Sequence, residues 1–163
     1  MPHAILNVAQ LREWEQASWA AGVDPQAVIG QVGRIVAHRA RQLTGHGDLI
    51  LLLAGKGHNG DDVRAAKQHL QHLQQLQQLQ HLQHLQHLQP LSERQVELVE
   101  VTDPQAALPA VQSLLARKPA LIVDGLFGIG LDRALDEGWC ALLRAINAAK
   151  RAVLAVDVPS GLN

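Results

Sequence analysis

Three short apolar runs, each closed by a glycine or an aspartate, set the frame of the chain. Leu49-Ile50-Leu51-Leu52-Leu53-Ala54 runs into Gly55, Ala120-Leu121-Ile122-Val123 into Asp124, and Ala152-Val153-Leu154-Ala155-Val156 into Asp157. Unbroken apolar runs of this length suit strands covered on both faces, as in a parallel sheet. A fourth run, Val96 to Val101, is less apolar and is expected nearer an edge. Between the runs the spacing turns helical. Leu135, Trp139, Leu142 and Ile146 share one face, and a weaker helix is expected over about Gln105 to Arg117. Upstream, Ile29, Val32, Val36, Ala40 and Leu43 mark a helix, and Val8 to Ala21 another that Gly22 would stop. Gly45, Gly47 and Asp48 then mark a turn. Strand and helix alternating in this way imply βαβ units, right-handed crossovers, and a three-layer αβα sandwich on a mostly parallel sheet.

One segment breaks the pattern. From Gln68 to Gln89 the chain is almost only Gln, His and Leu, with leucine at every third position from Leu70 to Leu91. A helix advances about 100° per residue, so each leucine falls about 60° round the axis from the last. Such leucines never build one fixed face. Residues 68–91 read as a low-complexity insert within a single domain spanning 1–163. The helix after the first glycine loop is expected to continue to about Leu73, with the remainder protruding or mobile. The insert's His69, His72, His81, His84 and His87 are read as part of a solvated repeat rather than as a metal site.

Composition narrows the functions. A formal net charge of -1 gives no pull toward nucleic acid, and an aromatic content of 2% with no Tyr leaves little to stack bases on. No nucleic-acid or membrane partner is expected. Cys140, the only cysteine, sits in a helical pattern as a small buried hydrophobe, and the cytoplasm is the expected compartment. No secretory leader is expected at the start of the chain.

The chemistry is expected where ligands collect in an open parallel sheet, at the carboxyl ends of the strands. Three loops would meet there: Gly55-Lys56-Gly57-His58-Asn59-Gly60-Asp61-Asp62, Asp124-Gly125-Leu126-Phe127-Gly128-Ile129-Gly130-Leu131, and Asp157-Val158-Pro159-Ser160-Gly161. The glycines permit close approach to a ligand, and the first and second loops are expected to feed helix starts that attract phosphate. Asn59, Asp124 and Ser160 offer oxygen ligands that suit a hard cation better than zinc. Each loop alone reads equally well as a turn; their order and spacing together favour a site.

Taken together, the three loops resemble the signatures of the YjeF N-terminal domain family. The start, Leu11-Arg12-Glu13-Trp14-Glu15 followed by Gly22, is similar to that family's opening helix. The resemblance implies a Rossmann-like α/β fold and NAD(P)HX epimerase activity. The substrate would be NADH or NADPH with water added at C6 of the nicotinamide ring. Interconverting its R and S epimers would feed a partner dehydratase. The resemblance further implies a bound potassium ion held by Asn59, Asp124 and Ser160. Substrate contacts would come from His58, Asn59, Gly60, Asp61 and Asp62, from Gly128, Ile129, Gly130, Leu131, Asp132, Arg133 and Ala134, and from Asp157. Asp157 is the candidate catalytic group, as a carboxylate shielded from water whose proton affinity would rise, with substrate orientation as the alternative. Lys56 is either a phosphate contact or a solvated lysine. A homodimer is expected.

The first loop departs from the family's usual Asn-Asn-Gly-Gly-Asp-Gly. His58 stands for the first Asn, Asp61 for the second Gly and Val63 for the last. A side chain at 61 is expected to strain a backbone suited to glycine. Its charge would repel a pyrophosphate by roughly 4 kcal/mol at about 4 Å and an effective dielectric near 20. Impaired activity is therefore expected. The family's domain also continues past the Pro-Ser-Gly signature, so either a truncated sheet with an open edge or an edge supplied by a partner is expected. The competing reading is a non-catalytic binding module, since family relatives act as scaffolds in mRNA decapping and as a lipoprotein-binding factor. A conventional NAD-dependent dehydrogenase fits poorly, because the first loop is not Gly-x-Gly-x-x-Gly.

Overall fold

A computed structural model describes residues 7–84 and 93–161. The chain opens with two helices, α1 (Val8–Ala20) and α2 (Pro25–Gln42). Asn7 starts α1 with a capping box shared with Gln10, and Asp24 caps α2 with Pro25 at its first position. Then follow β1 (Leu49–Ala54), α3 (His58–His84), β2 (Gln95–Glu100), α4 (Pro104–Ala116), β3 (Leu121–Gly125), α5 (Glu137–Ala148) and β4 (Ala152–Ala155). All strand pairs are parallel, in the order β2-β1-β3-β4.

The central strand explains the layers. Every residue of β1 is buried, which its unbroken apolar run anticipated. Ile50, Leu52 and Ala54 face one way, into a core shared with Val36, Ala37 and Ala40 of α2 and Val63, Ala66 and Leu70 of α3. Leu51 and Leu53 face the other way, toward Val111 of α4 and Trp139, Leu142 and Ile146 of α5. Alternation along a strand thus divides one run between two cores, and the result is the expected αβα sandwich. β2 lies at one edge and is only half-buried. β4 lies at the other, with Val153 46% exposed.

Helix α3 continues well past Leu73, to His84. Its leucines leave the core in the order the three-residue spacing requires: Leu70 is 1% exposed, Leu73 half-buried, Leu76 42% and Leu79 57% exposed. Gln74 Nε2 donates to the Arg94 carbonyl at 2.6 Å, tying this helix to the entrance of β2. His69 does not stand free in solvent but contacts the Gly30 carbonyl of α2 at 3.1 Å. Residues 85–91 of the insert, His87 among them, lie outside the described residues. Among the described residues no cluster of three metal-binding side chains occurs, and no helix is long and apolar enough to cross a membrane. Cys140 is half-buried rather than fully buried, its Sγ 3.8 Å from the Leu135 carbonyl.

Helices α2 and α3 cross closely at Gly33. A Cβ added there would sit 2.5 Å from the Ala65 Cβ and 2.8 Å from the Ala66 nitrogen. Gly30, one turn earlier, has open space beside it. Gly33→Ala is therefore expected to destabilise the chain by about 1–3 kcal/mol through overpacking. Gly30→Ala should gain up to about 1 kcal/mol of helix propensity. Urea unfolding of the two variants against wild type checks this, and equal shifts would contradict the close crossing.

Candidate functional site at the carboxyl edge of the sheet

The three strand-end loops meet at one edge, fastened by side chains rather than by ladder bonds. Asp124, at the end of β3, is 6% exposed. Its Oδ1 accepts from the Leu126 N–H at 3.1 Å and the Ser160 hydroxyl at 2.7 Å; its Oδ2 accepts from the Ser160 N–H at 2.9 Å. The Ser160 Oγ also accepts from the Phe127 N–H at 3.1 Å. From the first turn of α3, Asn59 Nδ2 reaches the carbonyls of Phe127 and Val156, each at 2.9 Å. The three residues expected as cation ligands therefore occupy one junction. No Lys or Arg forms an ion pair with Asp124 among the described residues.

Asp157 stands beside this junction with a left-handed backbone, φ 74°. Its Oδ2 accepts from the Ile129 N–H at 2.8 Å. Gly128 is wedged between Asn59 and Asp157: a Cβ there would come within 2.6 Å of both side chains, so only glycine fits. Gly130 has nothing within 4 Å, and the close approach expected there is absent. The Ile129 carbonyl accepts from Arg12 Nη2 of α1 at 3.1 Å. Leu131 closes a turn onto the Gly128 carbonyl at 3.1 Å.

The first loop corrects two expectations. Asp61 lies in the first turn of α3 and is not among the residues with positive φ, so no glycine backbone is strained there. Its carboxylate is also paired, with Arg64 Nη1 at 2.8 Å. Arg64 in turn holds Glu100 at 2.6 Å and the Gly55 carbonyl at 3.0 Å. A neighbouring cation offsets much of the repulsion an isolated carboxylate would exert. Val63 is fully buried and fills the core over Gly125. Gly60 is buried against the Gly55 carbonyl.

The shielding expected of Asp157 belongs to another residue. Asp157 is exposed, whereas Asp62 is 8% exposed. Burial pushes the Asp62 carboxyl up to about 6; His58 opposes that rise, while Asp61 and Asp157 add to it. Asp62 and Asp157 both line a cavity of about 280 Å³, together with His58 and Asn59. Most of the remaining lining comes from the first two helices and includes Glu15 and Trp19 of α1. Glu15 was read only as part of the opening helix and Trp19 was not singled out, because α1 buries no residue completely. Arg64, the partner of Asp61, was also missed, although its three-residue spacing from Asp61 was a readable signal.

The second loop does not line the cavity. Gly128, Ile129, Gly130, Leu131, Asp132, Arg133 and Ala134, all expected as substrate contacts, are absent from its lining, and Gly130, Asp132, Arg133 and Ala134 are exposed. The phosphate site expected at the following helix is not formed either. Helix α5 begins only at Glu137, and Asp136 caps it by accepting from the Trp139 N–H. A carboxylate already satisfies that helix start, and Glu137 adds a second negative charge. Lys56 is exposed, with no hydrogen bond or ion pair from its side chain among the described residues.

Comparison with known proteins decides the family. The model of the YjeF-related protein N-terminus matches residues 26–163. This chain belongs to that family. Within the YjeF-related proteins it is similar to the NAD(P)H-hydrate epimerase of Achromobacter xylosoxidans, 36% identical over 160 residues, covering 96% of this chain and 73% of that protein. The NAD(P)H-hydrate epimerase of Bordetella pertussis is 34% identical over 159 residues, covering 98% and 67%. A bifunctional NAD(P)H-hydrate repair enzyme of Gloeobacter violaceus is 30% identical over 98% of this chain and 31% of its own length. The fold matches the crystal structure of yeast ynu0 with a TM-score of 0.68 at 19% identity, covering 98% of this chain and 72% of that one.

The raised Asp62 carboxyl has a definite sign in stability. The folded chain holds this proton more tightly than the unfolded chain, whose carboxyl titrates near 3.8. Ionising it therefore costs stability as pH rises from about 4 to about 6, and the whole cost is present above that. Asp62→Asn should raise the melting temperature relative to wild type more at pH 7.5 than at pH 4. Equal differences at the two pH values would show that burial does not perturb Asp62.

Proposed function

We propose that this chain is an NAD(P)H-hydrate epimerase, interconverting the R and S forms of NADHX or NADPHX. The observation that carries the reading is the pair Asp62 and Asp157, from the first and third strand-end loops, facing one cavity. The names of the relatives point the same way. The hydrated ring carries a hydroxyl on C6, the carbon to be inverted. Inversion requires one bond at C6 to break and re-form on the other face. If the ring opens at the C6–N bond, a base takes the hydroxyl proton as C6 becomes an aldehyde, and the nitrogen keeps the bond's electron pair and gains a proton. If the hydroxyl leaves, an acid protonates it to water, and water adds back to the resulting C6=N iminium while a base takes its proton. Both routes need a proton-transfer group beside C6. Asp62 holds a proton up to about pH 6, and Asp157 offers a carboxylate fixed by the Ile129 N–H.

A potassium ion fits the junction beside this pair. Asp124 is a buried carboxylate satisfied only by neutral donors, and a cation would balance it. Turning the Asn59 amide over would put its oxygen beside the Phe127 and Val156 carbonyls, gathering several oxygens of the kind a hard cation prefers. Asn59, Asp124 and Ser160 would hold the ion. Bound there, it would supply fixed positive charge that locks the loops carrying Asp157 and Gly128. A dehydratase that consumes one epimer is the expected functional partner, in line with the bifunctional repair enzyme among the relatives. The cytoplasm and a homodimer complete the reading.

Two tests follow. Wild type is expected to epimerise NADHX in potassium buffer, and Asp157→Asn to lose about a hundredfold or more in turnover. Asp61→Gly should lower KM by less than tenfold, because Arg64 already pairs with Asp61; an unpaired charge would give a hundredfold or more. A wild type that neither turns over NADHX nor binds NADP would favour the non-catalytic binding module. Separately, potassium chloride should raise the melting temperature above that in choline chloride of equal ionic strength. Ser160→Ala should abolish the difference, and a salt effect unchanged by that substitution would remove the cation from the site.

A further inference from the structure

The cavity lining is mixed. His58, Asn59, Asp62, Asp157 and Glu15 are polar, while Trp19, Pro25, Val28, Ile29, Val32 and Val156 are apolar, most of the apolar ones coming from α1 and α2. Apolar surface with a few polar groups suits a flat ring with polar edges. The volume, about 280 Å³, is near the small end for ligand pockets and holds one ring with its sugar, not a whole dinucleotide. Charge decides which end of a dinucleotide enters. Three carboxylates line the cavity, those of Glu15, Asp62 and Asp157, and no Lys or Arg does. Phosphates are repelled from such a space, and an uncharged ring bearing a carboxamide and a hydroxyl is not.

Helix α1 contributes to this lining through one face only. Leu11, Glu15, Ser18 and Trp19 are half-buried at spacings of four, seven and eight residues, while Trp14 points outward and is 63% exposed. The helix is hydrogen-bonded to the site at a telling place. Arg12 donates to the carbonyl of Ile129, the residue whose N–H holds Asp157. One residue therefore sets both the carboxylate and the helix that lines the cavity with it.

We propose that α1 is part of the substrate-recognition surface, with Trp19 the platform for the nicotinamide ring of the hydrated cofactor and Glu15 a hydrogen-bond acceptor at its edge. The inference rests on the epimerase reading and adds to it the end of the substrate that enters and the residues that receive it. Trp19 binds the ring against the carboxylates, and Arg12 positions α1.

Tryptophan fluorescence tests the contact without relying on turnover. Nicotinamide mononucleotide is expected to quench wild-type emission, Trp19→Phe to lose that quenching, and adenosine monophosphate to quench neither. In NADHX kinetics Trp19→Ala should raise KM by about tenfold with kcat changed less than about twofold, and Trp19→Phe should restore most of the loss. Arg12→Ala should raise KM in the same direction. Circular dichroism establishes that the variants fold. Quenching by adenosine monophosphate alone would overturn the ring assignment. A wild type that turns over NADHX while Trp19→Ala keeps its KM would overturn the role of α1 and leave the epimerase reading intact. A wild type without turnover would sink the epimerase reading, and the role of α1 in catalysis with it; the quenching pattern would still report which ring the cavity takes.

Discussion

A buried carboxylate without a cationic partner is tolerated only if donors surround it. Asp124 meets that condition through two backbone N–H groups and one hydroxyl, drawn from its own loop and from the loop after β4. Satisfying this charge holds the second and third loops at a fixed distance, and the Asn59 amide then fastens the start of α3 to both. Gly128 packs against Asn59 with no room for a side chain, and Asp157 is fixed beside it by the Ile129 N–H. The junction is thus a structural device first, and it is what lets chemistry be placed beside it.

Chemistry and stability pull in opposite directions at the neighbouring residue. Asp62 is sheltered enough for its carboxyl to favour the protonated form up to about pH 6, which destabilises the folded chain near neutrality. The core on either side of β1 is closely packed and carries that burden. Asp157, which lines the same cavity, is exposed. The two acids therefore differ in environment, one sheltered and one open to solvent.

Much of this was readable in the sequence, for physical reasons that can be named. β1 and β3 were evident because residues buried on both faces must all be apolar, and their carboxyl ends were marked by Gly55 and Asp124. That the loops converge followed from the strands being parallel. The errors arose where side chains meet across loops. The rescue of Asp61 by Arg64 depends on one turn of helix placing a guanidinium between Asp61 and Glu100. The exchange of shelter between Asp157 and Asp62 depends on which side of α3 faces inward. The place of Trp19 and Glu15 at the cavity was not legible because a helix lying over a cavity lacks the continuous apolar stripe that marks a helix lying on a core.

Among the described residues Leu70 is the last leucine of the triplet series to be fully buried, and it stands twelve residues beyond His58, where α3 begins. From that point outward the helix leans less and less on the body of the protein. The cavity takes nothing from α3 beyond Asp62, so the Gln/His/Leu units of the described helix stand away from it. A change in their number would be felt first where Gln74 meets Arg94 at the entrance of β2, and not among the residues that line the cavity.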